Sequence, residues 1–448
     1  LTQGNVAQQL FNLTLPMIWG VFAVIAFQLI DTYFVGQLGT TSLAAMSFTF
    51  PVVMTLGSLA MGLGVGSSSI IARAIGEGNT EKVQRLTTDS LTLSLGVVVV
   101  FVALGLATID PLFRSLGAEG EVLAHIRSYM EIWYWGMIFL VIPMVGNSAI
   151  RAAGNMGVPS VIMTVAAGAN ILLDPLFMFG WGPFPALGLP GAAVATVISR
   201  AITLVASLWF LHFRLHMLCF NLPPWSKVRQ SWQQILQVGL PAATTNIIQP
   251  ISLGVITSLV ARYGAEAVAG FGIASRVEAF ALLVFLALSA SMGPFVGQNW
   301  GAQKYGRVRR ALQLSFGFCL GWGIFLAVVL AGMAPWITGQ FDSEPEVMAI
   351  AITYLLMVPI SYGAQGIFLI ASSTSNALGK PTPSVVMMVT RMVVLYLPLA
   401  YVGSWLFQVQ GIFGAACVAN LAVGMGAYLW NQRTCISRPN DSLATPLP

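Results

Sequence analysis

Twelve stretches of twenty or more predominantly apolar residues, separated by short polar connectors, leave this chain few ways to fold. They fall near residues 11–36, 47–72, 88–109, 126–150, 157–180, 190–212, 234–260, 270–297, 311–337, 346–376, 382–405 and 411–431. A membrane-spanning helix needs about twenty such residues, whereas spanning strands are about half as long and alternate in polarity. Only 8% of the 448 residues are charged. A soluble domain carries about 25%, because water must solvate its surface. The pattern predicts an all-α integral membrane protein with twelve transmembrane helices.

The stretches divide six and six around a polar connector that contains Pro223 and Pro224. This predicts an N-lobe over 1–212, a cytoplasmic connector over 213–233, a C-lobe over 234–431 and a cytoplasmic tail over 432–448. The halves repeat each other at an offset of 225, pairing Leu15-Pro16 with Leu240-Pro241, Gly39 with Gly264, Gly76 with Gly301, Tyr129 with Tyr354, and Gly154 with Gly379. An even number of helices per half gives both repeats one orientation, related by a pseudo-two-fold axis along the membrane normal. Transporters of that build bind substrate between the halves and rock them for alternating access.

Orientation follows from the basic residues. Alternate connectors hold 14 of the 20 Lys and Arg, including Arg73, Lys82, Arg85, Arg151, Lys304, Arg307, Lys380 and, in the tail, Arg433 and Arg438. Positive loops stay cytoplasmic, so both termini are expected inside.

Several chemistries are disfavoured. No basic block with interleaved aromatics points to nucleic acid. No Walker A pattern occurs, and Gly62-Leu63-Gly64-Val65-Gly66 lies within an apolar helix, where its Gly-xxx-Gly spacing reads as close helix packing. Four scattered cysteines make neither a disulfide framework nor a metal site, and no cofactor or enzymatic cluster is expected.

What remains is a small set of polar residues inside the spans. Asp31 sits about twenty residues into the first apolar stretch, where a charge costs about 2.5–3.5 kcal/mol and usually marks an ion path. Emergence at the far membrane surface is the plainer alternative. Asn170 and Asp174 are four residues apart and share a face of helix 5. At 1.5 Å per residue, Asp31, Asp174 and Thr196 each lie roughly 9 Å inside the same membrane face, with Tyr129 at a similar depth. These residues form a candidate cation or proton site, unless each merely satisfies a separate structural hydrogen bond. Two carboxyl groups close together resist carrying two charges, because desolvation and like charge both disfavour ionisation, so such a pair suits proton uptake.

The second half offers only Gln249 and Gln365 as a polar cavity. Position 256, the counterpart of Asp31, is Ile, so ionisable chemistry is expected in the first half alone. Arg391 is expected to snorkel to the cytoplasmic face and Glu278 to lie at an interface, while Arg200 has no evident partner. Pro16 is either a hinge in helix 1 or a helix-start residue.

These residues resemble the multidrug and toxic compound extrusion (MATE) transporters. The likeness rests on Leu15-Pro16, Asp31-Thr32 with Gly36 and Gly39, Ala74-Ile75-Gly76, Arg151-Ala152-Ala153-Gly154, Asn170 to Pro175, and Gly191 to Thr196. It is nearest the DinF-like branch and covers almost the whole chain. The resemblance implies a monomeric antiporter in a bacterial inner membrane, surrounded by lipid, that exports cationic or amphipathic drugs against an inward cation flow. It assigns proton coupling to Asp31, Asn170, Asp174 and Thr196, with Tyr129 beside them and a bend at Pro16; Na⁺ is the alternative coupling ion. The sodium-coupled NorM-like branch adds acids where Gln249 and Gln365 stand here. A flippase for lipid-linked precursors or polysaccharide is the competing function.

Overall fold

The computed structural model describes residues 1–180, 184–219 and 224–436. Pro223, Arg438 and the tail beyond Ile436 therefore lie outside the described residues. Helices α1 to α6 are Val6–Gln37, Thr40–Gly76, Thr80–Ser115, Gly120–Ala152, Gly157–Phe179 and Leu189–Trp209. α7 is Trp225–Val260, and α8 is the pair Ala265–Ala281 and Leu283–Gly301, bent by 43°. α9 is Tyr305–Gly339 and α10 runs over Pro345–Ala377. The last 54 helical residues, Thr382–Cys435, leave helical geometry at Phe407 (φ −133°) and Gln408 (φ 53°). That break separates α11 (382–407) from α12 (408–431), which brings the described spans to twelve. No strand occurs among the described residues.

The sequence repeat is also a repeat of helix boundaries. α2, α3, α4 and α5 begin at Thr40, Thr80, Gly120 and Gly157, and α8 to α11 begin 225 residues later at Ala265, Tyr305, Pro345 and Thr382. Gly39 and Gly264 make the same turn into their helices, at φ 101° and 109°. A side chain tolerates that backbone poorly, which explains why glycine recurs there.

Contacts group the chain into two compact units, Trp19–Ala243 (the first unit) and Leu1–Ile18 with Thr244–Pro448 (the second). The division therefore falls inside α1 and α7, at positions 225 apart, rather than at the connector expected over 213–233. Small residues explain the assignment of α7's first half. A Cβ on Gly62 would strike the Gly239 carbonyl oxygen and stand 2.6 Å from the Ala243 methyl, and one on Gly66 would strike the Ile235 carbonyl. The Gly62-xxx-Gly66 face of α2 thus takes the backbone of α7 in direct contact. Trp232 adds a hydrogen bond from Nε1 to the Asp89 carbonyl at 3.0 Å. Within the first unit α4 is the central helix, more than half buried, with α2, α3 and α6 packed around it. α10, its repeat partner, is central in the second unit.

Residues 1–18 join the second unit through Arg307. Its guanidinium donates to the carbonyls of Gly4 (2.6 Å) and Leu1 (3.1 Å), to Gln9 Oε1 (2.8 Å) and to Asn299 Oδ1 (2.9 Å), with Phe295 beneath it at 5.7 Å. Hydrogen bonds from a charged donor contribute about 1.5–3 kcal/mol each when well formed. Arg307→Ala is expected to raise amide hydrogen exchange over residues 4–9 at least tenfold, leaving α4 unchanged. Unaltered exchange at those residues would show that the segment is held by other means.

Candidate functional site

The first unit brings Asp31, Asn170, Asp174, Thr196 and Tyr129 into one buried cluster. α1 supplies Asp31 about 9 Å before its end at Gln37, and α5 supplies Asp174 about 8 Å before its end at Phe179. α6 runs the other way and presents Thr196 about 10 Å from its start. Opposite helix directions and matched depths are what make the five residues meet.

Asp174 is completely buried and Asn170 is 2% exposed. One orientation of the Asn170 amide satisfies both of its neighbours. Its nitrogen donates to Asp174 Oδ2 at 2.7 Å and Oδ1 at 3.1 Å, while its oxygen accepts from Thr196 Oγ1 and the Thr196 amide at 3.2 Å. The Asp31 and Asp174 carboxyl groups interact with each other. Two carboxyl groups in mutual reach disfavour carrying two charges, an arrangement suited to holding one proton between them. Asp31 Oδ1 is otherwise buried without a partner, and Tyr129, almost fully enclosed, lies in electrostatic reach of both acids. Asp31 is half-buried and turned toward Asp174 rather than standing alone on the helix surface.

Ser199 completes the cluster and does not stand out in the sequence. Its Oγ lies 3.2 Å from the Asn170 amide and donates to the Thr196 carbonyl at 2.9 Å. The available signal is its spacing of three from Thr196, which puts both hydroxyls on one face of α6.

The second unit departs from expectation. Arg391 does not snorkel: it is 8% exposed, donates from Nε to Asn420 Oδ1 at 2.8 Å and stacks over Phe368 at 5.3 Å. Asn420 Nδ2 in turn donates to Ser361 Oγ at 2.9 Å and reaches Gln365 Oε1 at 3.5 Å. Glu278 is not interfacial either, because it accepts a hydrogen bond from the buried Tyr354 hydroxyl. Ionisable groups therefore occupy both halves. Gln365 belongs to this network, whereas Gln249 is exposed and stands outside it. Arg200 likewise has no hydrogen-bond partner among the described residues.

Pro16 is internal to α1, eleven residues into the helix, which rules out a helix-start role. It offers no N–H to the Asn12 carbonyl, and it lies two residues before the boundary between the units.

Comparison with known proteins gives one consistent result. A model of the MatE family matches residues 16–176 and 241–402, two segments that again begin 225 residues apart. The chain is 39% identical over 438 residues to a protein of Shewanella oneidensis described as an FAD transporter, covering 97% of this chain and 96% of that one. It is 27% identical to a probable multidrug resistance protein, YoeA, of Bacillus subtilis, over 91% of this chain and 90% of that one. Among solved structures, an Asp-to-Asn variant of the Vibrio cholerae MATE transporter VcmN superposes with a TM-score of 0.91 at 32% identity, covering 97% and 98% of the two chains. The chain is a multi-pass membrane transporter, not an enzyme, and it belongs to the MatE family of efflux transporters.

Proposed function

We propose that this protein is a proton-coupled antiporter that exports amphipathic organic compounds across a bacterial inner membrane, with both termini in the cytoplasm. The observation that supports the reading is the pairing of two acids, Asp31 and the fully buried Asp174, beside Asn170 and Thr196 inside the membrane-spanning helices. Loss of a proton held between them would leave two carboxylates in contact, an arrangement disfavoured unless they separate or gain a cation. Proton release is thus tied to movement of α1 against α5. Pro16, which removes one rung of the helical hydrogen-bond ladder, gives α1 a point about which to move.

Protons rather than Na⁺ are favoured by the polarity of the partners. Asp174 faces donors, the Asn170 amide nitrogen and the Asp31 carboxyl, and the Asn170 oxygen points to Thr196. Those donors satisfy Asp174 without a bound cation.

Cationic and amphipathic drugs are one substrate class, in keeping with relatives named as multidrug exporters. A flavin nucleotide is the second, favoured by the relative described as an FAD transporter and by the buried guanidinium of Arg391. The protein is taken to act as a monomer, since both polar clusters are complete within single units. The test is efflux from proteoliposomes holding the purified protein, under an imposed pH or Na⁺ gradient. A pH gradient alone is expected to drive efflux against a concentration difference; a requirement for Na⁺ would refute proton coupling.

A further inference from the structure

The polar cluster of the second unit is not explained by proton coupling at Asp31 and Asp174. Arg391 lies about 14 Å into α11 and Glu278 about 20 Å into α8, so both sit at mid-membrane depth. A guanidinium there is retained only at a cost of about 2.5–3.5 kcal/mol, and residues kept at such depth usually face partners or a cavity. Yet Arg391 makes only one hydrogen bond, from Nε, and no ion pair within 4 Å among the described residues. Glu278 interacts with it only at longer range. Both terminal nitrogens, the fork that grips a carboxylate or phosphate, are uncommitted.

A second observation points the same way. Tyr362 is completely buried, its hydroxyl has no partner among the described residues, and it lies in electrostatic reach of Glu278 and Tyr354. The backbone is irregular at each contributing helix. α8 breaks at Leu282, one turn after Glu278, and α10 narrows to a 3₁₀ turn over Val358–Ser361, just before Tyr362. α11 widens to a π-helical stretch over Thr390–Tyr396, which contains Arg391. π and 3₁₀ segments inside long helices mark places where packing is adapted to a function. Two such segments and the break in α8 fall in the helices that carry Arg391, Tyr362 and Glu278.

We propose that Arg391, with Asn420, Phe368 and Tyr362, forms a binding site in the second unit for the phosphate group of an aromatic anion. The guanidinium would take two phosphate oxygens, Asn420 fixes its Nε, the Tyr362 hydroxyl donates to a third oxygen, and Phe368 supports the cationic plane from one side. The same chemistry would accept a phospholipid headgroup. This deepens the flavin-nucleotide reading and rests on it for the choice of probe.

The probes are FAD and riboflavin, which share the flavin ring and differ in the phosphates. Binding to the full chain in nanodiscs of neutral lipid is read from flavin fluorescence polarisation. FAD is expected to bind at least tenfold more tightly than riboflavin. Arg391→Gln is expected to remove that preference, bringing FAD binding to the level of riboflavin in the same variant, and Arg391→Lys, which keeps charge but loses the fork, to restore part of it. Equal binding of FAD and riboflavin, or an unchanged FAD preference in Arg391→Gln, would overturn the proposal and leave Arg391 a structural neighbour of Glu278. If Arg391→Gln does not fold, Arg391→Lys decides, since binding equal to the parent's counts against the fork. Weakening of FAD binding by added phosphatidylglycerol identifies a lipid headgroup as an occupant, and indifference to it identifies the soluble phosphate; either supports the chemistry. Arg391-dependent FAD binding without FAD transport would overturn the flavin-substrate reading and leave the site standing. FAD transport untouched by both variants would do the reverse.

Discussion

Asp31→Asn is expected to reduce pH-gradient-driven efflux at least tenfold, to the passive leak, while substrate binding persists. Asparagine keeps the size of the side chain and can still donate to Asp174, so the cluster should stay intact. What it removes is one of the two carboxyl groups that could exchange a proton. The variant is therefore held in an arrangement resembling the protonated one at every pH, and the step that separates α1 from α5 loses its driving force. Asp174→Asn should give the same loss, because the proton belongs to the pair. Asn170→Leu should be milder in coupling and harsher in stability, since it strips a buried hydrogen bond from Asp174 at 2.7 Å. Efflux in Asp31→Asn that still follows the imposed pH gradient would remove Asp31 from the mechanism. Efflux lost together with substrate binding would mean that the cluster serves substrate rather than coupling.

Gly62→Val should be the most damaging single change to the fold of the first unit. Even a lone Cβ at that position meets the Gly239 carbonyl, a backbone atom that cannot rotate away, and Gly66 faces the Ile235 carbonyl in the same manner. Overpacking of this kind costs about 1–3 kcal/mol or more, because α7 must lift off α2. Gly57, on the same helix, has no atom within 4 Å of where a Cβ would stand and provides the control. Thermal unfolding of the detergent-solubilised protein should shift down by several degrees for Gly62→Val and stay in place for Gly57→Ala. Equal midpoints would contradict the close α2–α7 approach.

Much of this was legible in the chain. Runs of apolar residues set the helix count, and recurring Gly and Pro at an offset of 225 foretold helix starts that repeat at that interval. The first-unit cluster could be assembled by counting depth, because Asp31, Asp174 and Thr196 stand out in apolar surroundings and depth is fixed by the helical rise. The second cluster escaped because comparing repeats asks whether the same position carries the same group. Glu278 and Arg391 answer to Val53 and Ala166 in the first half, so neither registers as a match. Tyr354 does match Tyr129, and each faces carboxyl chemistry in its own unit, through Glu278 in one case and the Asp31–Asp174 pair in the other. The tyrosine was the visible trace of a shared arrangement whose charged members had diverged. The 3₁₀ and π segments left no trace at all, since composition does not distinguish them from α-helix. Ser199 was hidden for a different reason: serines in apolar helices commonly bond to their own backbone, so one more carried no signal.

The division of α1 and α7 between the units has a consequence for how the molecule is made. The first unit needs the start of α7 to fill the face of α2 around Gly62 and Gly66. When α6 has left the ribosome, that groove is still open, and it closes only after residues 225–243 have been synthesised and inserted. Residues 1–18 wait longer, since Arg307 and the rest of their packing partners belong to the later half. Neither half of the gene encodes a self-sufficient folding unit. Chain termination anywhere in the connector would release a six-helix intermediate with a glycine-lined seam facing lipid, the form most exposed to membrane quality control.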